Sequence, residues 1–112
     1  MGERSNYKLV FVAHPIRGDV EGNKRKVKEL LGNLCRTSSF NYIFTAPYLV
    51  TLELYDDADP IQRARGIEIG LAQLERCDEL WVFGQPTEGM KQEIEHASAH
   101  GVRVVFKEAQ AC

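Results

Sequence analysis

The stretch Glu79-Leu80-Trp81-Val82-Phe83-Gly84-Gln85-Pro86-Thr87-Glu88-Gly89-Met90-Lys91-Gln92-Glu93-Ile94-Glu95-His96-Ala97 decides the fold. It opens with a β-rich apolar run, passes a small polar turn, and starts a helix. Open α/β sheets bind phosphorylated ligands where a strand ends and a helix begins. Thr87 is placed to cap that helix, and its hydroxyl is also available to an anion. Glu93 follows roughly 9 Å further along the axis, at about 1.5 Å per residue. That is close to the span from the 5′-phosphate of a nucleotide to its anomeric carbon. The stretch therefore carries a candidate phosphate grip and a candidate nucleophile.

Working outward, the same strand–helix alternation recurs. Leu9-Val10-Phe11-Val12-Ala13 is continuously apolar, as in a strand covered on both faces of a parallel sheet. His14-Pro15-Ile16-Arg17-Gly18-Asp19 reads as a loop, because Pro and Gly punctuate it. Val27, Leu30, Leu31 and Leu34 form one apolar stripe, which predicts a helix over about 22–36. Tyr42 to Thr45 is a short second strand, stopped by Pro47. The stretch 48–59 shows no clear period and reads as loop or short helix, ending in the acidic turn Asp56-Asp57-Ala58-Asp59. Asp59 followed by Pro60 is a helix start, and that helix runs to about Cys77. A strand over 80–83, a helix over 88–100 closed by Gly101, and a strand over 102–106 complete the chain. The order βαβαβαβ predicts a small doubly wound α/β domain, Rossmann-like or flavodoxin-like, with a parallel sheet of four strands and three or more helices.

The bulk numbers bound the function. A chain of 112 residues suits one domain with one core. Net charge is -2, which argues against broad binding to a nucleic-acid polymer. The cluster Lys24-Arg25-Lys26 with Lys28 reads as a solvated helix face. Cys35, Cys77 and Cys112 form no CxxC pair, so neither a zinc site nor a disulfide framework is suggested. Adjacent carboxylates at Asp56 and Asp57 are not a metal motif by themselves. No metal and no cofactor are expected. The N-terminus lacks a signal-peptide core and no apolar run is long enough to span a membrane, so a cytoplasmic protein with no membrane contact is the expectation.

Two places are more specific. Ile16-Arg17-Gly18 follows the first strand. Gln85-Pro86-Thr87, with Gly89, Glu93-Ile94 and Ala97, follows the third. On these the chain resembles the nucleoside 2-deoxyribosyltransferase-like superfamily, including the 2′-deoxynucleoside 5′-monophosphate N-glycosidases. Ala46-Pro47-Tyr48, Asp56-Asp57, Arg63, Gly66 and the run from Cys77 to Met90 are most similar to an uncharacterised phage and bacterial branch. The resemblance implies cleavage or transfer at an N-glycosidic bond, with Glu93 as nucleophile and a covalent glycosyl-enzyme ester. It implies phosphate contacts from Arg17, Gly18, Thr87 and Gly89. It also implies a small-molecule nucleoside or nucleotide as partner and assembly as a homo-oligomer, a dimer or larger.

The chain also departs from the pattern. Members carry an aspartate, which handles the proton of the leaving base, where this chain has Gly70. Asp56, Asp57 and Glu68 are the candidate substitutes. His14-Pro15 replaces small residues at the first loop; His14 is kept as a ligand-side candidate, although such residues more often bond within their loop. Tyr48 is either a base-stacking ring or a packing residue. The missing acid opens an alternative, a module that binds or senses a nucleotide without cleaving it.

Overall fold

In a computed structural model, residues 6–108 are described. Four strands, β1 (Lys8–Ala13), β2 (Tyr42–Thr45), β3 (Glu79–Phe83) and β4 (Arg103–Lys107), pair in parallel in the order β2-β1-β3-β4. Four helices, α1 (Val20–Thr37), α2 (Tyr48–Leu54), α3 (Pro60–Leu74) and α4 (Glu88–Ala99), connect and cover them. The expected α/β doubly wound arrangement is what the chain forms. The three clear helices become four because the ambiguous stretch after Pro47 folds as the short α2.

Strand periodicity splits the core in two. Phe11, Ala13, Leu80 and Val82 point to one face and pack with Leu71 and Leu74 of α3 and Met90 and Ala97 of α4. Val10, Val12, Trp81 and Phe83 point to the other and meet Leu30 and Leu34 of α1. Both faces of β1 and β3 are covered, which is why these strands read as unbroken apolar runs. Trp81 sits edge-on to Tyr42 and Phe44, each 5.3 Å away, and Lys107 lies 4.0 Å above its ring. The Trp81 indole donates to buried Glu79 at 2.8 Å, so the one acidic residue inside this strand is satisfied.

Local chemistry sets the ends of the helices. Asp19 caps α1 by accepting from the Gly22 amide at 3.0 Å. The expected Asp59–Pro60 start is observed: Asp59 accepts from the Ile61 amide at 3.0 Å. Boundaries shift by one to three residues elsewhere, as caps and frayed turns allow. One sequence expectation is corrected. Lys24 is not solvated but buried, because its ammonium reaches Glu53 on α2 and Glu21 on its own helix. The Glu53 bond, more than any other cause, raises the Lys24 pKa. Arg25, Lys26 and Lys28 are exposed as expected.

The chain leaves β1 toward β2 on one side, then crosses to β3 and β4 on the other. The reversal falls between β1 and β3, and their carboxyl ends flank a crevice there. Gly84 takes a φ of +77° to turn out of β3, and a side chain there would lie 3.5 Å from Pro15. The loops after the two strands thus run against each other at the mouth of the crevice.

Candidate functional site

A cleft of about 150 Å³ occupies this switch point. The loop after β1 contributes His14, Ile16 and Arg17. The turn after β3 and the start of α4 contribute Thr87, Gly89, Met90, Gln92 and Glu93. The third wall is α2, α3 and the turn that joins them, with Tyr48, Asp57, Arg63 and Gly70 among its residues.

The β1 loop is shaped by its own bonds. Gly18 has a φ of +100°, a conformation that side-chain-bearing residues rarely adopt. Asn23 of α1 donates to the Ile16 carbonyl at 2.9 Å and holds the loop against the helix. His14 places Nδ1 at 2.7 Å from the Pro15 carbonyl. A carbonyl only accepts, so Nδ1 carries the proton and the lone pair of a neutral ring sits on Nε2. Arg17 is exposed at the rim and makes no ion pair among the described residues.

At the opposite wall, Thr87 caps α4. Its Oγ1 accepts from the Met90 amide at 3.3 Å, which leaves the hydroxyl proton free to point outward. Glu93 lies almost two turns further on the same helix. Its carboxyl pKa is pushed up to about 8, because burial takes the carboxylate out of water. Tyr48 rises well above its ordinary value through burial first and then through the charge of Glu93, so the two groups sense each other across the cleft. The tyrosine hydroxyl donates to the Val12 carbonyl at 2.6 Å and its ring leans on Phe11 with centroids 6.2 Å apart.

The candidate acids separate. Asp57 lines the cleft, with Oδ1 3.6 Å from Nε of Arg63. Asp56 is exposed and accepts from the Ala58 amide at 2.9 Å, bracing the acidic turn. Glu68 is exposed outside the cleft lining and pairs with Arg65 at 3.3 Å. Gly18 and the described end of β4 also lie outside the lining. Gly70 does line the cleft, and a side chain there would meet nothing within 4 Å. Arg63, Gln62 and Gln92 were given no role from the sequence, yet all three face the cleft. The available signal for Arg63 was its place one turn after the Asp59 cap, on the helix end nearest the crevice.

No curated protein matches the chain significantly. Among solved structures, the fold is similar to a 2-deoxyribosyltransferase from the psychrotolerant bacterium Bacillus psychrosaccharolyticus. That match has a TM-score of 0.62 and 13% identity, and covers 93% of this chain and 75% of that one. At this identity the likeness establishes a shared fold, which agrees with the expected superfamily at that level. Among the described residues, no helix is long and apolar enough to cross a membrane. Residues 8–107 match the family described as a domain of unknown function, DUF7768, and the chain belongs to that family.

Proposed function

We propose that the protein cleaves or transfers at the N-glycosidic bond of a nucleoside 5′-monophosphate or nucleoside, with Glu93 as nucleophile. The observation that carries the reading is the placement of Glu93: a desolvated carboxyl in the switch-point cleft, on the helix that Thr87 caps at the same cleft's mouth. A helix N-terminus favours an anion, and Arg17 at the facing rim adds a fork of donors suited to phosphate oxygens. With the phosphate held there, the sugar lies along the first turns of α4 toward Glu93.

In the first step a Glu93 carboxylate oxygen bonds to the anomeric carbon as the carbon–nitrogen bond breaks. The electron pair leaves on the base, which takes a proton from an acid in the cleft. Asp57 is the candidate that the lining supports, since Asp56 braces its turn and Glu68 faces solvent. Water or the N–H of a second base then attacks the same carbon, gives its proton back to the acid that served the first step, and releases Glu93 as carboxylate. The fold shared with a 2-deoxyribosyltransferase supports this class of chemistry. No cofactor enters these steps.

The test is chromatography of bases released from deoxynucleoside and ribonucleoside monophosphates and from the free nucleosides. Glu93→Gln should abolish release while leaving nucleotide binding intact; full turnover in that variant would remove Glu93 from the mechanism. A second reading has its own observation. The open space at Gly70, where the resembled enzymes carry an aspartate, suits a module that holds a nucleotide without cleaving it. Tight binding by calorimetry with no base released on long incubation would favour that reading.

A further inference from the structure

A second cluster of chemistry lies at the opposite end of α4 and is independent of the cleft. Glu75 forms the C-cap of α3, His96 sits in the last turn of α4, and His100 is the C-cap of α4. One ligand atom from each lies within 4.8 Å of the others. We propose that Glu75, His96 and His100 form a binding site for a first-row divalent cation of the zinc type.

The geometry fits such an ion. Oε1 of Glu75 lies 2.8 Å from Nε2 of His96 and 3.5 Å from Nε2 of His100. These distances bracket the separation of roughly 3.3 Å between neighbouring ligands on a tetrahedron with bonds near 2.0 Å. His96 and His100 are four residues apart, so both imidazoles leave the same side of the helix, with ring centroids 4.2 Å apart. The tautomer of His100 is set. Its Nδ1 donates to the His96 carbonyl at 2.8 Å, which leaves the Nε2 lone pair directed at the cluster. That outer bond is the kind that orients metal-ligating histidines.

The electrostatic setting also suits a cation. The carboxyl ends of α3 and α4 converge here, and each carries the negative pole of its helix. Arg76 approaches the other Glu75 oxygen, Oε2, at 3.9 Å and leaves Oε1 to the histidines. Side-chain exposures of 35%, 24% and 41% for Glu75, His96 and His100 leave water able to complete the shell. Two imidazoles and one carboxylate select zinc, cobalt, nickel or copper over calcium and magnesium, which prefer oxygen ligands. On binding, the ion takes the place of the proton between His96 and Glu75. The site ties the end of α3 to the end of α4, about 18 Å along α4 from the Thr87 cap.

The test uses the full chain without an affinity tag. Zinc affinity and stoichiometry are measured by competition with a chromophoric chelator, and cobalt binding by its visible absorption. One ion per chain is expected, with a nitrogen–oxygen cobalt spectrum lacking thiolate charge-transfer bands. His96→Ala and His100→Ala should each weaken binding at least roughly tenfold, and magnesium should not compete. Circular dichroism confirms that each variant is folded; His100 is exposed, so His100→Ala keeps the measurement interpretable. Unchanged affinity in both histidine variants, absence of saturable binding, or loss of binding in a Cys35→Ser variant would each overturn the proposal.

Discussion

The Tyr48 hydroxyl donates to the carbonyl oxygen of Val12 at 2.6 Å and so fixes α2 over the carboxyl end of β1. This bond and the contact with Phe11 give Tyr48 a packing role, while its ring also lines the cleft. Its raised pKa keeps the phenol neutral and a donor across the working pH range. Tyr48→Phe retains the ring and removes only the donor. The expected loss is about 1–2 kcal/mol, the cost of leaving the strand carbonyl without this partner. Urea denaturation measures it, and an unchanged midpoint would mean that the bond contributes nothing to holding α2.

Glu93 sets a pH dependence with a definite sign. Its folded-state pKa of about 8 stands above the ordinary 4.5. Between those values the folded chain holds a proton that the unfolded chain has lost. Glu93 therefore stabilises fully at low pH, and that contribution declines as pH rises through this window, until it is gone above the folded pKa. The slope is about 1.4 kcal/mol per pH unit at its steepest. Glu93→Gln should flatten this part of the profile and make the variant the more stable form at about pH 9. Parallel unfolding curves for the two proteins at every pH would contradict the assignment. The same titration governs the proposed chemistry. A nucleophile must be ionised, so kcat/KM should rise with pH through the Glu93 pKa of the free protein.

The fold was legible because its signals are local and redundant. Val10, Phe11 and Val12 are apolar on both faces, Asp59–Pro60 caps and starts a helix, and Thr87 caps another. Alternation of such elements leaves few topologies. The stretch from Tyr48 to Leu54 was harder. It is two turns long, begins without a side-chain cap, and leaves Val50 and Leu54 exposed, so no apolar stripe shows. Lys24 misread as solvated because its partner Glu53 is distant in sequence and meets it only after α2 forms. Among candidate site residues, Thr87 and Glu93 share one helix and their separation follows from its rise. The relation of Asp57 to Arg63, and of Glu75 to two histidines on another helix, depends on tertiary packing that no single segment encodes.

The proposed phosphate grip predicts a split between substrates. Arg17 is exposed, so Arg17→Ala should leave stability unchanged while removing a charged hydrogen bond to the ligand. Such a bond is worth about 1.5–3 kcal/mol, or roughly 10- to 100-fold in kcat/KM for a monophosphate, with little change for the nucleoside. Thr87→Ala should lose the same preference and also about 1 kcal/mol of stability through the lost cap. Thr87→Ser should restore both. Equal losses on nucleoside and monophosphate would place the phosphate elsewhere.

Gly70 offers a test by gain rather than loss. It faces the cleft from α3, and a new side chain there meets nothing within 4 Å. Aspartate is no worse than glycine inside a helix, so Gly70→Asp should fold with stability close to that of the parent. If protonation of the leaving base limits the reaction, a carboxyl at this position should raise the rate of base release. General acids contribute about 10²–10⁴-fold when well placed, so a gain of at least roughly tenfold is expected even from an imperfect fit. Gly70→Asn fills the same space without a titratable proton and should show no gain. Single-turnover assays separate this from changes in binding. If the aspartate and asparagine variants release base at the same rate, the absence of an acid at Gly70 is not what restrains the chemistry.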